Sequence, residues 1–250
     1  MKVDLNSDMG EGFGPWKMGD DMALLEIVTS ANIACGFHAG DPDVMARTMA
    51  RAVERGVNIG CHPGFADLRG FGRRRMTLPA AELANLVTYQ LGAAQAMAKA
   101  AGGQVRHLKL HGALGNMTSE DQVMARTAYE AALKVDPDLV VMVLAATAQE
   151  VAARELGCAY AGEIFADRAY NDDATLVDRS LPGAVLHEAE PAAERITAML
   201  KSGAIITESG KHIPCRIDTI CMHGDTPEAV EMSAAVRRLL EAEGITVAPL

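Results

Sequence analysis

Short β-prone runs alternate with longer helix-prone ones along the whole chain, and this rhythm limits the fold more than any other feature. The runs are "KVDLN", "VTSANIAC", "VNIGCHP", "VRHLKLH", "LVVMVL", "AYAGEIF" and "DTICMHG", with "ITVAPL" at the end. Helical patterns lie between them. "DPDVMARTMARAVERG" offers Asp41 as N-cap, Pro42 at the first helical position and Gly56 after the last turn. "LPAAELANLVTYQLGAAQAMAKAAGG" is rich in Ala and Leu and stops at a glycine pair. "TSEDQVMARTAYEAALK" opens on a Thr/Ser capping pattern, and "DTPEAVEMSAAVRRLLEAEG" repeats the Asp, Pro and late Gly. Such alternation predicts an α/β fold, a parallel sheet with helices packed outside it. Seven or eight units in 250 residues match the size of a (β/α) barrel, with an open doubly wound sheet as the rival. Residues 1–250 are expected to form one domain. Residues 166–216 break the rhythm and read as an elaborated loop near the site's rim. That loop ends in a hairpin turning at Ser209-Gly210.

Bulk properties exclude some partners. A net charge of -10 argues against nucleic acid and anionic membranes. "MKVDLNSD" has no apolar stretch behind a basic head, and no run is long enough to span a bilayer, so a cytoplasmic protein is expected. Five cysteines without CxxC spacing fit reduced thiols.

Alternate strand residues share a face. Asp4, Asn6 and Asp8 therefore share one side of the first strand, opposite Val3 and Leu5. His107, Lys109 and His111 share a side, as do Asn58, Gly60 and His62, and Thr219, Cys221 and His223. Asp8, His38, His62, His111, Glu163 and His223 fall at or just beyond the C-terminal ends of their strands, where ligands bind in parallel α/β folds. One such histidine is ordinarily a satisfied core or surface residue. Several together point to a shared site, because burying each unsatisfied group costs about 1–3 kcal/mol. "FGRRR", Phe71 to Arg75, is either a solvated face or an anion-binding cluster. Gly210-Lys211 is followed by His212, so there is no P-loop. "GEGFGP" fails the dinucleotide pattern, and neither GxSxG nor HExxH occurs. Asp41 is a helix cap or a catalytic carboxylate, and the residues alone leave both open.

"DLNSDMGEGFG", "ANIACGFHAGDP", "GCHPGFADLRGFGRR", "LKLHGALGN", "EIFADRAY" and "ICMHGD" together resemble the LamB/YcsF family, in blocks running from Asp4 to Asp225. The sequence departs from the family's usual pattern at Leu110 and Gly115, where Pro and Tyr are usual, and at Cys61, where Ala is usual. The resemblance implies a distorted (β/α) barrel of about seven parallel strands, TIM-like and similar to the glycoside hydrolase/deacetylase superfamily. It also implies ATP-dependent opening of 5-oxo-L-proline to L-glutamate together with partner subunits B and C. ATP is expected mainly at those partners, because this chain lacks a nucleotide motif. On this footing Asp41 or Asp8 is the expected general base, aided by His38 or His62. Lys109 and His111 would hold the phosphoryl group or the developing oxyanion. Arg168, or the Arg73/Arg74 pair, would hold the substrate carboxylate. Asp4, Asn6, Asn32, Asn116, Glu163, His223 and Asp225 would orient substrate and catalytic groups. A competing reading is a metal-dependent amide hydrolase of the deacetylase type, with Asp8, His38 and His62 as the divalent-metal set. A third is a non-catalytic scaffold subunit.

Overall fold

β1 (Lys2–Met9) is the strand on which a barrel closes. A computed structural model describes residues 1–186, 188–222 and 227–250. In it β1 pairs in parallel with β2 (Ser30–Ala34) on one side, Asp8 opposite Asn32. The sheet continues through β3 (Asn58–His62), β4 (Val105–Leu108), β5 (Val140–Leu144) and β6 (Tyr160–Phe165). β7 (Ala204–Ile206) and β8 (His212–Pro214) stand apart as the expected antiparallel hairpin. β9 (Thr219–Met222) then joins β6 to β1, with Asp4 opposite Thr219. All but β10 (Thr246–Val247) of the 8-stranded sheet lie in this closed parallel ring, which therefore has seven strands.

Helices cover the outside, as the alternation requires. They are α1 (Asp21–Leu24), α2 (Pro42–Arg55), α3 (Ala80–Ala100), α4 (Gly112–Glu120), α5 (Gln122–Val135), α6 (Ala148–Leu156), α7 (Ala189–Ser202) and α8 (Pro227–Ala242). Leu5, Ile59, Leu108, Val141, Ile164 and Ile220 from the strands join Met49, Leu91, Tyr129, Ile196 and Leu240 from the helices in one apolar core. The other strand face points inward and is polar yet equally buried, with Asp4, Asn6, Asn32, His107, Glu163 and Thr219. None of the helices among the described residues is long and apolar enough to cross a membrane.

The helix ends follow local chemistry. Asp41 Oδ1 accepts from the amides of Asp43 and Val44 at 2.8 and 2.9 Å, and Gly56 takes φ 67° past the end of α2. The expected start at "TSED" is displaced. Thr118 and Ser119 belong to α4, and Asp121 caps α5 by accepting from Val123 and Met124. An aspartate that reaches two free amides outcompetes hydroxyls already bonded to their own helix: Thr118 Oγ1 donates to Leu114 O at 2.8 Å.

Inside the barrel, Gly60 gives His107 its space. A β-carbon at Gly60 would lie 2.0 Å from His107 Nε2. Gly60→Ala is therefore expected to lower stability by about 1–3 kcal/mol through overpacking, measured as the urea midpoint. An unchanged midpoint would show that the imidazole can move aside.

Candidate active site

The inner face of the barrel forms one hydrogen-bonded network. Asp4 accepts from Thr29 Oγ1, Ser30 Oγ and Thr219 Oγ1 at 2.7, 2.7 and 2.5 Å. Asn6 donates to Thr219 Oγ1 and accepts from Asn32 Nδ2, both at 2.7 Å. Asn32 also donates to Asp8 Oδ1 at 2.9 Å and accepts from His107 Nε2 at 2.8 Å. Above this layer sits the Lys109 ammonium, 3.0 Å from Asp8 Oδ1 and 2.8 Å from Glu163 Oε1. Lys109 also donates to Cys221 Sγ at 2.9 Å and lies 4.8 Å from the centre of the Phe165 ring. Burial pushes the Lys109 ammonium down, but Asp8, Cys221 and Glu163 outweigh it and hold the group well above its ordinary value. Burial raises the Glu163 carboxyl against the pull of Lys109, with Asp8 adding to the rise. One ammonium thus serves two carboxylates.

A second group adjoins the first. His62 ends β3, His111 precedes α4, His38 lies between β2 and α2, and Glu11 follows β1. His62 Nε2 is 3.3 Å from Asp8 Oδ2 and 3.0 Å from His111 Nδ1. Glu11 Oε1 is 3.4 Å from His38 Nε2 and 3.6 Å from His111 Nδ1. The rings of His38 and His111 stack at 3.6 Å, and Phe71 meets both edge-on. One donor atom from each of these four residues lies within 4.8 Å of the others, an arrangement that fits a divalent cation. Burial first, and then the neighbouring His62, press His111 down to about 3; burial also holds His38 well below its usual value. Glycines make the room. A β-carbon at Gly64 or Gly72 would lie 2.6 or 2.7 Å from a His38 atom. Gln90 of α3 clasps Gly64 through both its amide and its carbonyl, at 3.0 and 2.9 Å.

A cavity of about 470 Å³ opens over Asp8, Glu11, His62, Lys109, His111 and Glu163. Its walls carry Arg73, Arg75, Asn116, Arg168 and Arg179. Residues 166–179 of the segment after β6 contribute Arg168, Asn171 and Thr175–Arg179 to its lining. Arg168 is buried, and its guanidinium donates to the carbonyls of Val177 and Ala184 at 2.6 and 3.3 Å. Burial, then the nearby Arg179, lower it to about 10.

The fold brings together Asn6, Asp8, Asn32, His38, His62, Lys109, His111 and Glu163, and sets Arg73, Asn116 and Arg168 on the cavity wall. Three expectations are corrected. Asp41 is a cap: its second oxygen accepts from Gly14 N at 2.6 Å, so both oxygens hold backbone. Asp4 lies at the opposite end of the barrel, and its hydroxyl partners belong to the barrel itself. Arg74 turns to Asp67, Nε donating to Oδ2 at 2.9 Å, and Arg75 takes the place on the wall. His223 and Asp225 lie outside the described residues. Of the expected Asp8, His38 and His62 set, His38 and His62 fall in one cluster with Glu11 and His111, while Asp8 touches its His62 edge. Glu11, Gln90 and Arg179 were missed, and Phe71 and Arg75 were marked only as the ends of a basic run. Glu11 and Phe71 carried a signal, each standing between glycines past a strand end. Gln90 carried none, since a helix position reveals nothing of what its amide reaches.

Residues 3–250 match the model of the LamB/YcsF family. The chain belongs to the LamB/YcsF family. A protein of Ruegeria pomeroyi, named as the A subunit of 5-oxoprolinase, is 67% identical over 98% of this chain and 97% of its own length. One of the same name from Rhodopseudomonas palustris is 56% identical over 100% of this chain and 98% of its own. The crystal structure of a lactam utilization protein from Thermus thermophilus matches with TM-score 0.93 and 41% identity, over 100% of both chains. The catalytic domain of a peptidoglycan N-acetylglucosamine deacetylase from Eubacterium rectale matches at TM-score 0.52 and 12% identity, covering 99% and 87% of the two chains; it shares the barrel fold alone. Of the departures from the usual LamB/YcsF pattern, Leu110 and Gly115 line the cavity and Cys61 lies buried behind it. His111 N donates to Pro63 O at 2.9 Å beside Leu110, and Cys61 Sγ rests 3.5 Å from Cys35 Sγ.

The cap and the buried imidazole can each be tested. Asp41→Ala should cost about 1 kcal/mol of stability in urea unfolding while leaving the chain's contribution to catalysis intact. Lost catalysis at full stability would return Asp41 to the site. Burial depresses His107 to about 3. Below about pH 6.5 the unfolded chain takes up a proton that the folded chain refuses, so stability falls with pH in that window. His107→Asn should remove up to about 2 kcal/mol of the loss between pH 6.5 and 5. An unaltered slope would show that His107 titrates normally.

Proposed function

We propose that the chain is the A subunit of an ATP-dependent 5-oxoprolinase, hydrolysing the lactam C–N bond of 5-oxo-L-proline in the cytoplasm together with subunits B and C. The observation that carries the reading is the buried Asp8–Lys109–Glu163 group on the floor of an arginine-walled cavity, in a chain whose near relatives bear that name.

A lactam carbonyl is a poor electrophile, and phosphorylation of its oxygen activates the ring carbon. Water then adds to that carbon. The tetrahedral species can expel phosphate, which regenerates the lactam, or the ring nitrogen, which opens it. Protonating the nitrogen selects the second path. Glu163, whose carboxyl burial raises, is placed to hold that proton, and Asp8, which lines the cavity, is placed to take one from water. Lys109 neutralises the oxyanion between them. The γ-glutamyl phosphate so formed gives glutamate and phosphate on a second hydrolysis. Arg168, with Arg73 or Arg179, is suited to the substrate carboxylate. ATP is bound at the partner subunits, in keeping with the lack of a P-loop or dinucleotide fingerprint in this sequence.

Metal-dependent amide hydrolysis without ATP is a second reading, favoured by the Glu11–His38–His62–His111 cluster. It requires the lone chain to release acetate from N-acetylated substrates, and a chelator to stop it.

ATP-coupled glutamate release from 5-oxoproline, with this chain added to or omitted from subunits B and C, tests the main reading. Release should require the chain. Asp8→Asn and Glu163→Gln should each lower turnover by about 10²–10⁴-fold with the fold retained by circular dichroism. Near-parental turnover in both variants would overturn these roles.

A further inference from the structure

Two backbone carbonyls decide what His62 and His111 can offer. The oxygen of Lys109 lies 2.8 Å from His62 Nδ1, and that of Phe71 lies 2.8 Å from His111 Nε2. A carbonyl oxygen only accepts, so in each neutral ring that nitrogen carries the hydrogen. The lone pairs are left on His62 Nε2 and His111 Nδ1, which face each other at 3.0 Å. Glu11 Oε1 is 3.6 Å from His111 Nδ1. Two imidazole lone pairs and a carboxylate oxygen thus converge on one point. Two lone pairs at this distance repel unless a proton or a metal cation lies between them.

His38 adds an independent observation. It is 1% exposed, and neither ring nitrogen has a hydrogen-bond partner among the described residues. Its Nε2 points toward the same Glu11 oxygen at 3.4 Å. Packing holds it there, between the His111 ring on one face and the close backbone of Gly64 and Gly72.

We propose that Glu11, His38, His62 and His111 bind a divalent transition-metal ion of the zinc class. Three imidazoles and one carboxylate suit Zn²⁺ or Co²⁺ better than Mg²⁺ or Ca²⁺, which take oxygen ligands. Bonds of about 2.1 Å place tetrahedral ligand atoms about 3.4 Å apart. The spacings in the structure are 3.0, 3.4 and 3.6 Å, and the whole set lies within 4.8 Å. The bonds to the Lys109 and Phe71 carbonyls are those that metal-bound histidines make through the other ring nitrogen. Asp8 Oδ1 is engaged with Lys109 and Asn32, and its Oδ2 lies 3.3 Å from His62 Nε2, so Asp8 borders the set. His62 touches both groups, so the ion would sit beside the reacting carboxylates and face the same cavity. The inference stands on this geometry and not on the identity of the substrate.

The test uses the full-length chain, stripped with a chelator and titrated with Zn²⁺ and separately with Co²⁺. About one ion should bind per chain by elemental analysis, and Co²⁺ should give the intense visible absorption of a low-coordinate site. Glu11→Gln and His38→Ala should weaken binding by more than about 10-fold, and His212→Ala, an exposed imidazole on the separate β8 hairpin, should bind like the parent. The parent's own cobalt spectrum keeps the test decisive where a ligand variant fails to fold. Binding to fewer than about one chain in ten, a spectrum of solvated Co²⁺, or parental affinity in the folded ligand variants would overturn the inference. Metal binding without glutamate release in the complex counts against the lactam reading alone. Glutamate release by a chain that binds no metal counts against this inference alone.

Discussion

A single ammonium group ties the barrel together at the level of the site. Lys109 comes from the end of β4, and its partners come from β1, β6 and β9, so one nitrogen joins strands that never pair with β4. An unpaired charge at that depth would cost several kcal/mol. Pairing removes the penalty only where the register of each strand is right. A slip of one residue would turn Lys109 outward and leave Asp8 and Glu163 facing each other without a counter-ion. The same arrangement is chemically useful, since two carboxylates sharing one cation differ in their hold on a proton.

The imidazole cluster follows a different logic. Backbone carbonyls and close-packed glycines do much to place its histidines. Phe71 adopts φ 53°, a left-handed conformation that non-glycine residues rarely take, and its carbonyl thereby reaches His111 Nε2. Gly64 and Gly72 leave the space that His38 fills, and Gln90 anchors Gly64 from a helix behind the barrel. Strain and vacancy of this kind persist where the surroundings over-determine them, and here they aim ring nitrogens at one another. The two clusters meet at His62, which touches Asp8 on one side and His111 on the other.

Asp41 shows how strand-end polar residues divide between structure and chemistry. It lies in a glycine-rich corner with His38, yet its carboxylate is spent on the amides of Asp43, Val44 and Gly14. That clamp fixes both the start of α2 and the loop after β1 that carries Glu11. Arg74 is similar, its charge drawn to Asp67 and away from the cavity. In both cases a nearer local partner decided against the more distant site.

Local pattern was enough to specify a parallel α/β fold, and the family resemblance decided for a barrel over an open sheet. Periods of strand and helix, and the polar alternation in "KVDLNSD" and "VRHLKLH", are written residue by residue. The same alternation marked Asp8, Lys109 and His111, and the strand ends marked His38, His62 and Glu163. Which of these side chains meet was settled only when the ring closed. Closure paired Lys109 with Glu163 across the barrel, joined Glu11 to three histidines from separate loops, and sent Asp4, Asp41 and Arg74 to structural partners. Such outcomes depend on distances between residues far apart in the chain, and no local pattern encodes them.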